Sequence, residues 1–124
     1  MKKKNKHSTK YRRKKEFRYS DIKTITKSGK AKIIKHPAYI FLENKDLFIY
    51  VTLTHSKNVK NFLVIKLRKN PNPNDKEESY YVAKIRKDLK NNFGTRILNW
   101  EIDVEDDKDI RKLFDETKKD DSAA

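Results

Sequence analysis

The sequence predicts a small, mainly β domain of α+β type, which we expect to be a strongly bent β-barrel with a C-terminal helix. Three observations favour this fold class. Short apolar runs have strand character, loops rich in proline or glycine separate them, and one amphipathic segment lies near the C-terminus. With 124 residues, 35% of them hydrophobic and 40% charged, the chain can form one domain with a small core. An open α+β sheet is the main alternative.

Composition divides the chain into three segments: a basic arm at residues 1–18, one domain at residues 19–118, and a short tail at residues 119–124. The arm holds ten lysines and arginines, a single acidic residue (Glu16) and few apolar side chains. Such a segment cannot bury enough apolar surface to offset the entropy of ordering it, so we expect it to be disordered.

The predicted strands follow the apolar runs in chain order. A weak alternating pattern opens the series, the two strongest runs come next, and the later ones are shorter; the predicted strands are 21–25, 38–42, 47–53, 61–67, 79–85 and 96–102. A glycine turn is expected at 27–30 and a polar hairpin turn at 43–46. Residues 70–75 hold two prolines, which cannot donate in a sheet, so this segment is predicted to be a loop. The pattern over 87–94 is ambiguous.

The C-terminal helix is the clearest single element. Asp103 has the residue type of an N-cap, and acidic residues follow in the first turn, where they complement the helix dipole. Ile110, Leu113 and Phe114 share one face at helical spacing. The pattern predicts a helix over residues 104–117 that packs through this face.

The net charge of +14 predicts a polyanionic partner, RNA or DNA. The charge is unevenly distributed, since residues 19–100 carry a net +10 and residues 101–124 a net −5. The cations expected to contact phosphate are Lys35, Lys57, Arg68, Lys69, Lys84 and Arg86. The alternative is that these lysines and arginines form a solvated surface that only maintains solubility.

Several classes of protein are excluded or disfavoured by the composition. The chain has no cysteine, so disulfides, cysteine-type zinc sites and a thiol nucleophile are excluded. No apolar run approaches the roughly 20 residues of a membrane span, and a cytoplasmic protein without membrane contact is expected. With two glycines there is no phosphate-binding glycine loop, and no cofactor or metal site is predicted.

The candidate site lies at the ends of the two strongest predicted strands. His36 precedes one strand, and Thr54, His55 and Ser56 end the next. If these strands form a hairpin, the four side chains share one sheet edge. Histidine can exchange protons near neutral pH, and hydroxyl groups can donate to a phosphate, which is the chemistry of RNA cleavage. The alternative is a hydroxyl-capped turn with two exposed histidines.

The order of elements over residues 30–115 resembles the MazF/PemK (Kid) toxin family of small endoribonucleases with an SH3-like barrel. In that family a strand that opens with Arg-Pro precedes a strand that ends in Thr or Ser. His36-Pro37-Ala38-Tyr39 and Thr52-Leu53-Thr54-His55-Ser56 are similar to these motifs. The resemblance places His36 at the family's phosphate-binding or catalytic arginine, and Thr54, or alternatively Ser56, at its catalytic hydroxyl.

Together these observations predict a toxin-like, metal-independent endoribonuclease that acts on single-stranded RNA and is carried by a mobile element. In this hypothesis His36 and His55 transfer protons, Thr54 and Ser56 orient the phosphate, and a protein antitoxin and a homodimer are further expected partners. A non-catalytic RNA- or DNA-binding module of a mobile element or phage is the alternative. A third hypothesis is a protein-interaction domain that masks a nucleic acid enzyme.

Overall fold

A computed structural model describes residues 10–25 and 28–123 as a mainly antiparallel β structure with one helix. This confirms the predicted fold class. Within the described residues, no helix is long and apolar enough to cross a membrane. The elements are β1 (Arg12–Ile25), β2 (Ala31–Glu43), β3 (Leu47–Thr54), β4 (Val64–Lys66), β5 (Tyr80–Val82), β6 (Arg86–Leu89), a 3-10 turn (Lys90–Asn92), β7 (Phe93–Arg96) and α1 (Val104–Ala123).

The strands form one sheet in the order β4-β5-β3-β2-β1-β7, with β6 also paired to β3. The first half of β3 pairs with β6 and its last two residues pair with β5. Because β4 and β7 stand at opposite ends of this order and do not pair with each other in the described part of the chain, the sheet is open. The predicted closure into a barrel is therefore not found there, and the architecture corresponds to the open alternative.

The second half of the predicted arm is a strand, which corrects the prediction of a disordered segment over 1–18. Residues 12–18 belong to β1, which pairs along most of β2. Phe17 is buried, and its ring centroid lies 5.0 Å from that of Tyr39. Glu16 is also buried and forms ion pairs with Lys14 and Arg18. The burial of a few side chains thus places this segment in the sheet although its composition is rich in cations. Residues 1–9 of the predicted arm lie outside the described residues.

The two predicted hairpin turns have clear local causes. Gly29 adopts a φ of +83°, a conformation that glycine takes without steric cost, in the connection between β1 and β2. At the β2–β3 turn, the Asn44 side-chain oxygen accepts hydrogen bonds from the backbone of Asp46 at 3.0 Å and of Leu47 at 2.8 Å. The predicted strands 38–42 and 47–53 lie within β2 and β3 as this turn requires.

The later strand predictions need correction. The predicted strands 61–67 and 79–85 shrink to three residues each, and 96–102 contains no strand beyond Arg96, which ends β7. The ambiguous segment 87–94 holds most of β6, the 3-10 turn and the start of β7. Asn99 has a φ of 69°, which breaks an extended backbone and turns the chain so that Trp100 packs on Phe17, with ring centroids 5.6 Å apart.

One sheet face packs on α1 and forms the main core. The aromatic rings of Phe17, Tyr39 and Phe41 meet Ile110 and Phe114 of the helix. The predicted helical face is confirmed, since Ile110 and Phe114 are buried and Leu113 packs beside them. Asp103 caps the helix as predicted, because its carboxylate accepts from the backbone of Glu105 at 3.0 Å and of Asp106 at 3.2 Å.

Candidate functional site

A cavity of about 190 Å³ lies where β2 starts and β3 ends, beneath the proline-rich loop that precedes β5. We call this cavity the histidine pocket. Three of the four predicted catalytic residues line it, whereas Ser56 does not. The lining residues are His36, Pro37, Leu53, Thr54, His55, Asn70, Asp75, Ser79 and Trp100.

The antiparallel register of β2 and β3 explains why these residues meet. Ala38 pairs with Thr52 in an antiparallel register, so His36, two residues before Ala38, and Thr54, two residues after Thr52, stand at the same end of the strand pair. His55 follows directly where β3 ends. The hairpin predicted from the sequence therefore brings both histidines to one cavity.

His55 is held by two acceptors, although 53% of its side chain is exposed. Its Nε2 lies 3.1 Å from a carboxylate oxygen of Asp75, and its Nδ1 lies 3.1 Å from the backbone carbonyl oxygen of Glu78. A ring that carries protons on both nitrogens satisfies both acceptors, whereas a neutral ring can donate to only one of them. The contacts thus fix the plane of the ring between a carboxylate and a backbone carbonyl.

Asp75 was not predicted as a site residue. The backbone N–H of Glu77 donates to its carboxylate at 3.0 Å, and this bond, a hydrogen bond from Asn70 and the charge of His55 hold the pKa of Asp75 below its usual range. The carboxylate is therefore a stable anion facing His55. The only signal in the sequence is the density of Asn and Asp around the two prolines, which is also typical of a turn.

The loop that presents Asp75 is fixed by its own side chains. Asn70 donates to the carbonyl oxygen of Glu77 at 2.9 Å and accepts from the backbone of Asn72 at 3.0 Å. Asn72 in turn accepts from the backbone of Asn74 at 3.0 Å. These Asx contacts replace the ladder bonds that the prolines cannot make, so the loop has a defined shape over the pocket.

The two predicted hydroxyl groups have different positions. Thr54 lines the pocket, and its Oγ1 accepts from the backbone N–H of Ser56 at 3.0 Å, which leaves its own proton to be donated. Ser56 donates to the carbonyl oxygen of Asn58 at 2.7 Å and accepts from that residue's N–H at 3.2 Å. Ser56 therefore caps a turn outside the pocket, as in the alternative interpretation.

His36 is half-buried and lines the same pocket. Its backbone carbonyl accepts a hydrogen bond from the Ser20 hydroxyl at 3.4 Å, on the neighbouring strand β1. Its ring takes part in none of the hydrogen bonds found among the described residues. The two histidines thus differ: one is oriented by a carboxylate and the other has a ring open to a ligand.

Five of the six predicted phosphate-binding cations are exposed and Arg86 is half-buried; the exposed ones are Lys35, Lys57, Arg68, Lys69 and Lys84. Arg86 hydrogen-bonds to the Tyr50 hydroxyl, and Lys84 lies over the ring of Phe62. Arg68 forms ion pairs with Asp106 at 3.1 Å and Asp109 at 2.8 Å, so its guanidinium joins α1 to the loop after β4. Of the six, Arg68 is the one whose contacts indicate a structural role.

One group of side chains has the composition of a metal site. His55, Asp75 and Glu77 each offer a ligand atom, and these atoms lie within 4.8 Å of one another. One nitrogen and two carboxylates are ligand types that divalent ions accept. Because the sequence predicted no metal site, a chelator is an essential arm of any activity measurement.

Comparisons with protein-family models, with curated proteins and with solved structures found no match to this chain. The resemblance to the MazF/PemK (Kid) family therefore depends on the sequence motifs alone. The function has to be argued from the histidine pocket and from the distribution of charge.

Proposed function

We propose that the protein is a toxin-like, metal-independent endoribonuclease that cleaves single-stranded RNA in the histidine pocket. The observation that supports this proposal is that His36 and His55 line one cavity together with Thr54. Two histidines in different environments are the pair of groups that acid–base cleavage of RNA requires. The resemblance to the MazF/PemK (Kid) family, in which a Thr or Ser follows a basic residue in this order, points to the same reaction.

In the proposed reaction, His36 accepts the proton of the RNA 2′-hydroxyl as the 2′-oxygen attacks the adjacent phosphorus. The bond from phosphorus to the 5′-oxygen breaks, and the His55 Nδ1–H leaves the Glu78 carbonyl and gives its proton to that leaving oxygen, while Nε2 stays on Asp75. The products are a 2′,3′-cyclic phosphate and a free 5′-hydroxyl. Asp75 holds the protonated His55 ring in position at 3.1 Å, and the Thr54 hydroxyl donates to a phosphate oxygen.

The charge of the chain supports a polyanionic substrate. A net charge of +14 draws RNA to the surface, and two exposed lysines, Lys35 and Lys57, lie one and two residues from His36 and His55 in the sequence. We place the protein in the cytoplasm, in keeping with a chain that lacks cysteine. A protein antitoxin and a second copy of the chain are the further partners that the toxin-like proposal includes.

Cleavage of a fluorescently labelled RNA by the full chain tests the proposal. The reaction is run with EDTA, and wild type is compared with His36→Ala, His55→Ala and the matched control Ser56→Ala. We expect each histidine variant to lose at least about 100-fold in rate, the usual scale of acid–base catalysis, and Ser56→Ala to retain activity. An RNA with a 2′-deoxy residue at the cleavage site should resist cleavage.

Three results would contradict the proposal. Equal cleavage by wild type and both histidine variants would assign the activity to another site or to a contaminant. Cleavage that needs a divalent ion would favour the His55–Asp75–Glu77 group as a metal centre. The absence of cleavage by all four proteins would support the second candidate below.

The second candidate is a non-catalytic RNA- or DNA-binding module. It is favoured by the net charge of +14, which needs no histidine chemistry to act. Binding should then survive replacement of both histidines and fall steeply with salt concentration, because bound counterions are released from the nucleic acid. If low-salt binding is also absent, a protein-interaction domain remains as the third hypothesis.

A further inference from the structure

An exposed aromatic side chain lies on the loop that follows His55. Phe62 has 41% of its surface exposed, and Leu63 beside it has 70% exposed. We call residues 57–63, between β3 and β4, the lysine loop, because it also carries Lys57 and Lys60. Large apolar side chains at the tip of a loop in a chain with a small core suggest a surface that contacts a ligand.

The exposure of Phe62 is fixed by the backbone of the loop. Val59 and Phe62 form an isolated antiparallel bridge, in which the Phe62 N–H donates to the Val59 carbonyl at 3.1 Å. Asn61 adopts a φ of 69°, as such a tight turn requires. The Leu63 carbonyl accepts from the Ala83 N–H at 2.8 Å, which ties the loop to the chain after β5. The aromatic ring is therefore presented on a built turn.

The surroundings of Phe62 are cationic. Residues 57–69 contain five lysines and arginines and no acidic residue. The Lys84 ammonium lies 5.0 Å from the centroid of the Phe62 ring. Among the described residues, no salt bridge involves Lys57, Lys60 or Lys84, in contrast to Lys66 and Arg68, which are paired with acidic groups. Lys84 thus lies over the ring, Lys57 and Lys60 lie on the same loop, and the charge of Lys57 also acts on the carboxylate of Glu78.

An exposed aromatic ring with one ammonium group over it and two more lysines on the same loop has the chemistry of a single-strand binding platform. Every base has a face that can stack on an aromatic ring, and the phosphates on either side of a stacked base can reach the surrounding cations. A protein partner could cover the apolar Leu63, but it would also need acidic side chains to pair with three lysines. A nucleic acid duplex keeps its bases stacked on one another, so it offers no free base to Phe62. The charge complementarity therefore favours single-stranded nucleic acid.

We propose that the lysine loop binds single-stranded RNA outside the histidine pocket, with one unstacked base on Phe62 and the neighbouring phosphates on Lys57, Lys60 and Lys84. The inference rests on the proposed function for its substrate class. The loop begins two residues after His55, so an RNA strand that leaves the pocket on this side meets the loop next. Phe62 then positions the strand relative to the cleaved bond and contacts no reacting atom.

Fluorescence anisotropy with two probes tests the inference independently of cleavage. One probe is a labelled 2′-O-methyl oligouridine, which has bases but no 2′-hydroxyl to react. The other is labelled inorganic polyphosphate, which has the charge but no bases. We expect Phe62→Ala to weaken oligouridine binding by about five-fold or more, the range of single base–aromatic stacks, and to leave polyphosphate binding unchanged.

Three further variants complete the design. Phe62→Trp should restore or strengthen oligouridine binding, because it keeps an aromatic face. Leu89→Ala removes a half-exposed apolar side chain from β6 and should leave both affinities unchanged. The double variant Lys57→Gln/Lys60→Gln should weaken both probes and reduce the salt dependence of each.

Each outcome separates the two proposals. Equal oligouridine affinity of wild type and Phe62→Ala overturns the inference, and so does an equal loss of both probes by that variant. If the histidine variants cleave RNA like wild type while Phe62→Ala binds oligouridine weakly, the proposed cleavage fails and the platform stands. If the histidine variants lose cleavage while Phe62→Ala binds and cleaves normally, only the platform fails.

Discussion

Replacement of Arg111 by methionine should strongly destabilise the fold, because this arginine joins α1 to the first two strands. Its Nε donates to both carboxylate oxygens of Asp107, at 3.0 and 2.9 Å. Its two terminal nitrogens donate to backbone carbonyls, one to Phe41 at 2.7 Å and the other to Lys14 at 2.8 Å. Methionine has a similar length but makes none of these bonds.

The expected magnitude follows from burial. The side chain of Arg111 is 17% exposed and that of Asp107 is 4% exposed, so the pair is screened weakly by solvent. Arg111→Met leaves the Asp107 carboxylate with the Tyr39 hydroxyl at 2.6 Å and with Arg13 at 3.9 Å, and two carbonyls lose a charged donor. Breaking a buried ion pair in this way costs about 3–5 kcal/mol in the free energy of unfolding. This is a large part of the roughly 5–15 kcal/mol that stabilises a typical domain.

Urea denaturation followed by helical circular dichroism and by Trp100 fluorescence measures the effect. The matched control is Lys108→Met on the same helix, where an ion pair with Glu105 joins side chains that are 67% and 58% exposed. Such an exposed pair contributes about 1 kcal/mol or less. The double variant Arg111→Met/Asp107→Asn should be less destabilised than the sum of its parts, because no buried charge is left unpaired. The reasoning is refuted if Arg111→Met unfolds at the same urea concentration as Lys108→Met.

Four further predictions concern pH, orientation, backbone and the N-terminus. Burial and the nearby Asp109 and Asp106 raise the pKa of Tyr81 to about 12. The stability that the protonated Tyr81 contributes is therefore complete below about pH 10 and is lost as pH rises towards 12. The urea midpoints at pH 9 and pH 11 should differ less in Tyr81→Phe than in wild type. Asp75→Asn should lower the rate of RNA cleavage by about ten-fold or more and displace the pH–rate profile, whereas the control Glu77→Gln should do neither. Identical pH–rate profiles for Asp75→Asn and wild type would count against an orienting role of Asp75. Gly29→Ala should cost about 1–2 kcal/mol in the free energy of unfolding, because a Cβ at a φ of +83° is strained even where space is open, and an unchanged urea midpoint would show that the turn relaxes. Deletion of residues 2–9 removes four lysines and should flatten the salt dependence of RNA binding with no change in thermal stability; an unchanged salt slope would show that these lysines contact no phosphate.

The sequence predicts well those elements whose bounds and buried face are determined by residues within the element itself. The helix carries its cap at Asp103 and its apolar face at Ile110 and Phe114, and the β2–β3 hairpin carries its turn residue Asn44. The strand over 12–18 was missed because its burial depends on a distant partner. Glu16 is compensated by cations on two strands, including Arg96 at 3.7 Å, and no local pattern reveals such a contact.

The candidate site was only partly predictable for the same reason. His36, Thr54 and His55 could be grouped because a single hairpin brings them together. Asp75 contacts His55 from the loop between β4 and β5, which belongs to the next hairpin and closes over the pocket. The composition of that loop is typical of a turn, so the sequence does not reveal the contact. Ser56 has the residue type that a site needs, but it caps a turn, and sequence spacing cannot separate these two uses of a hydroxyl.

The pocket and the helix are mechanically connected through the loop that carries Asp75. Asp106 of α1 accepts from the Arg68 backbone at 3.0 Å, just before the loop, and the Pro71 carbonyl accepts from the Glu101 N–H at 3.1 Å. At the far end, the Ser79 carbonyl accepts from the Leu67 N–H at 2.9 Å. Because the loop is held by α1 and by the segment that leads into it, the carboxylate that orients His55 depends on how the helix is docked. Arg111→Met should therefore slow RNA cleavage under conditions in which the protein is still folded, although Arg111 lines no part of the pocket, and Lys108→Met should not.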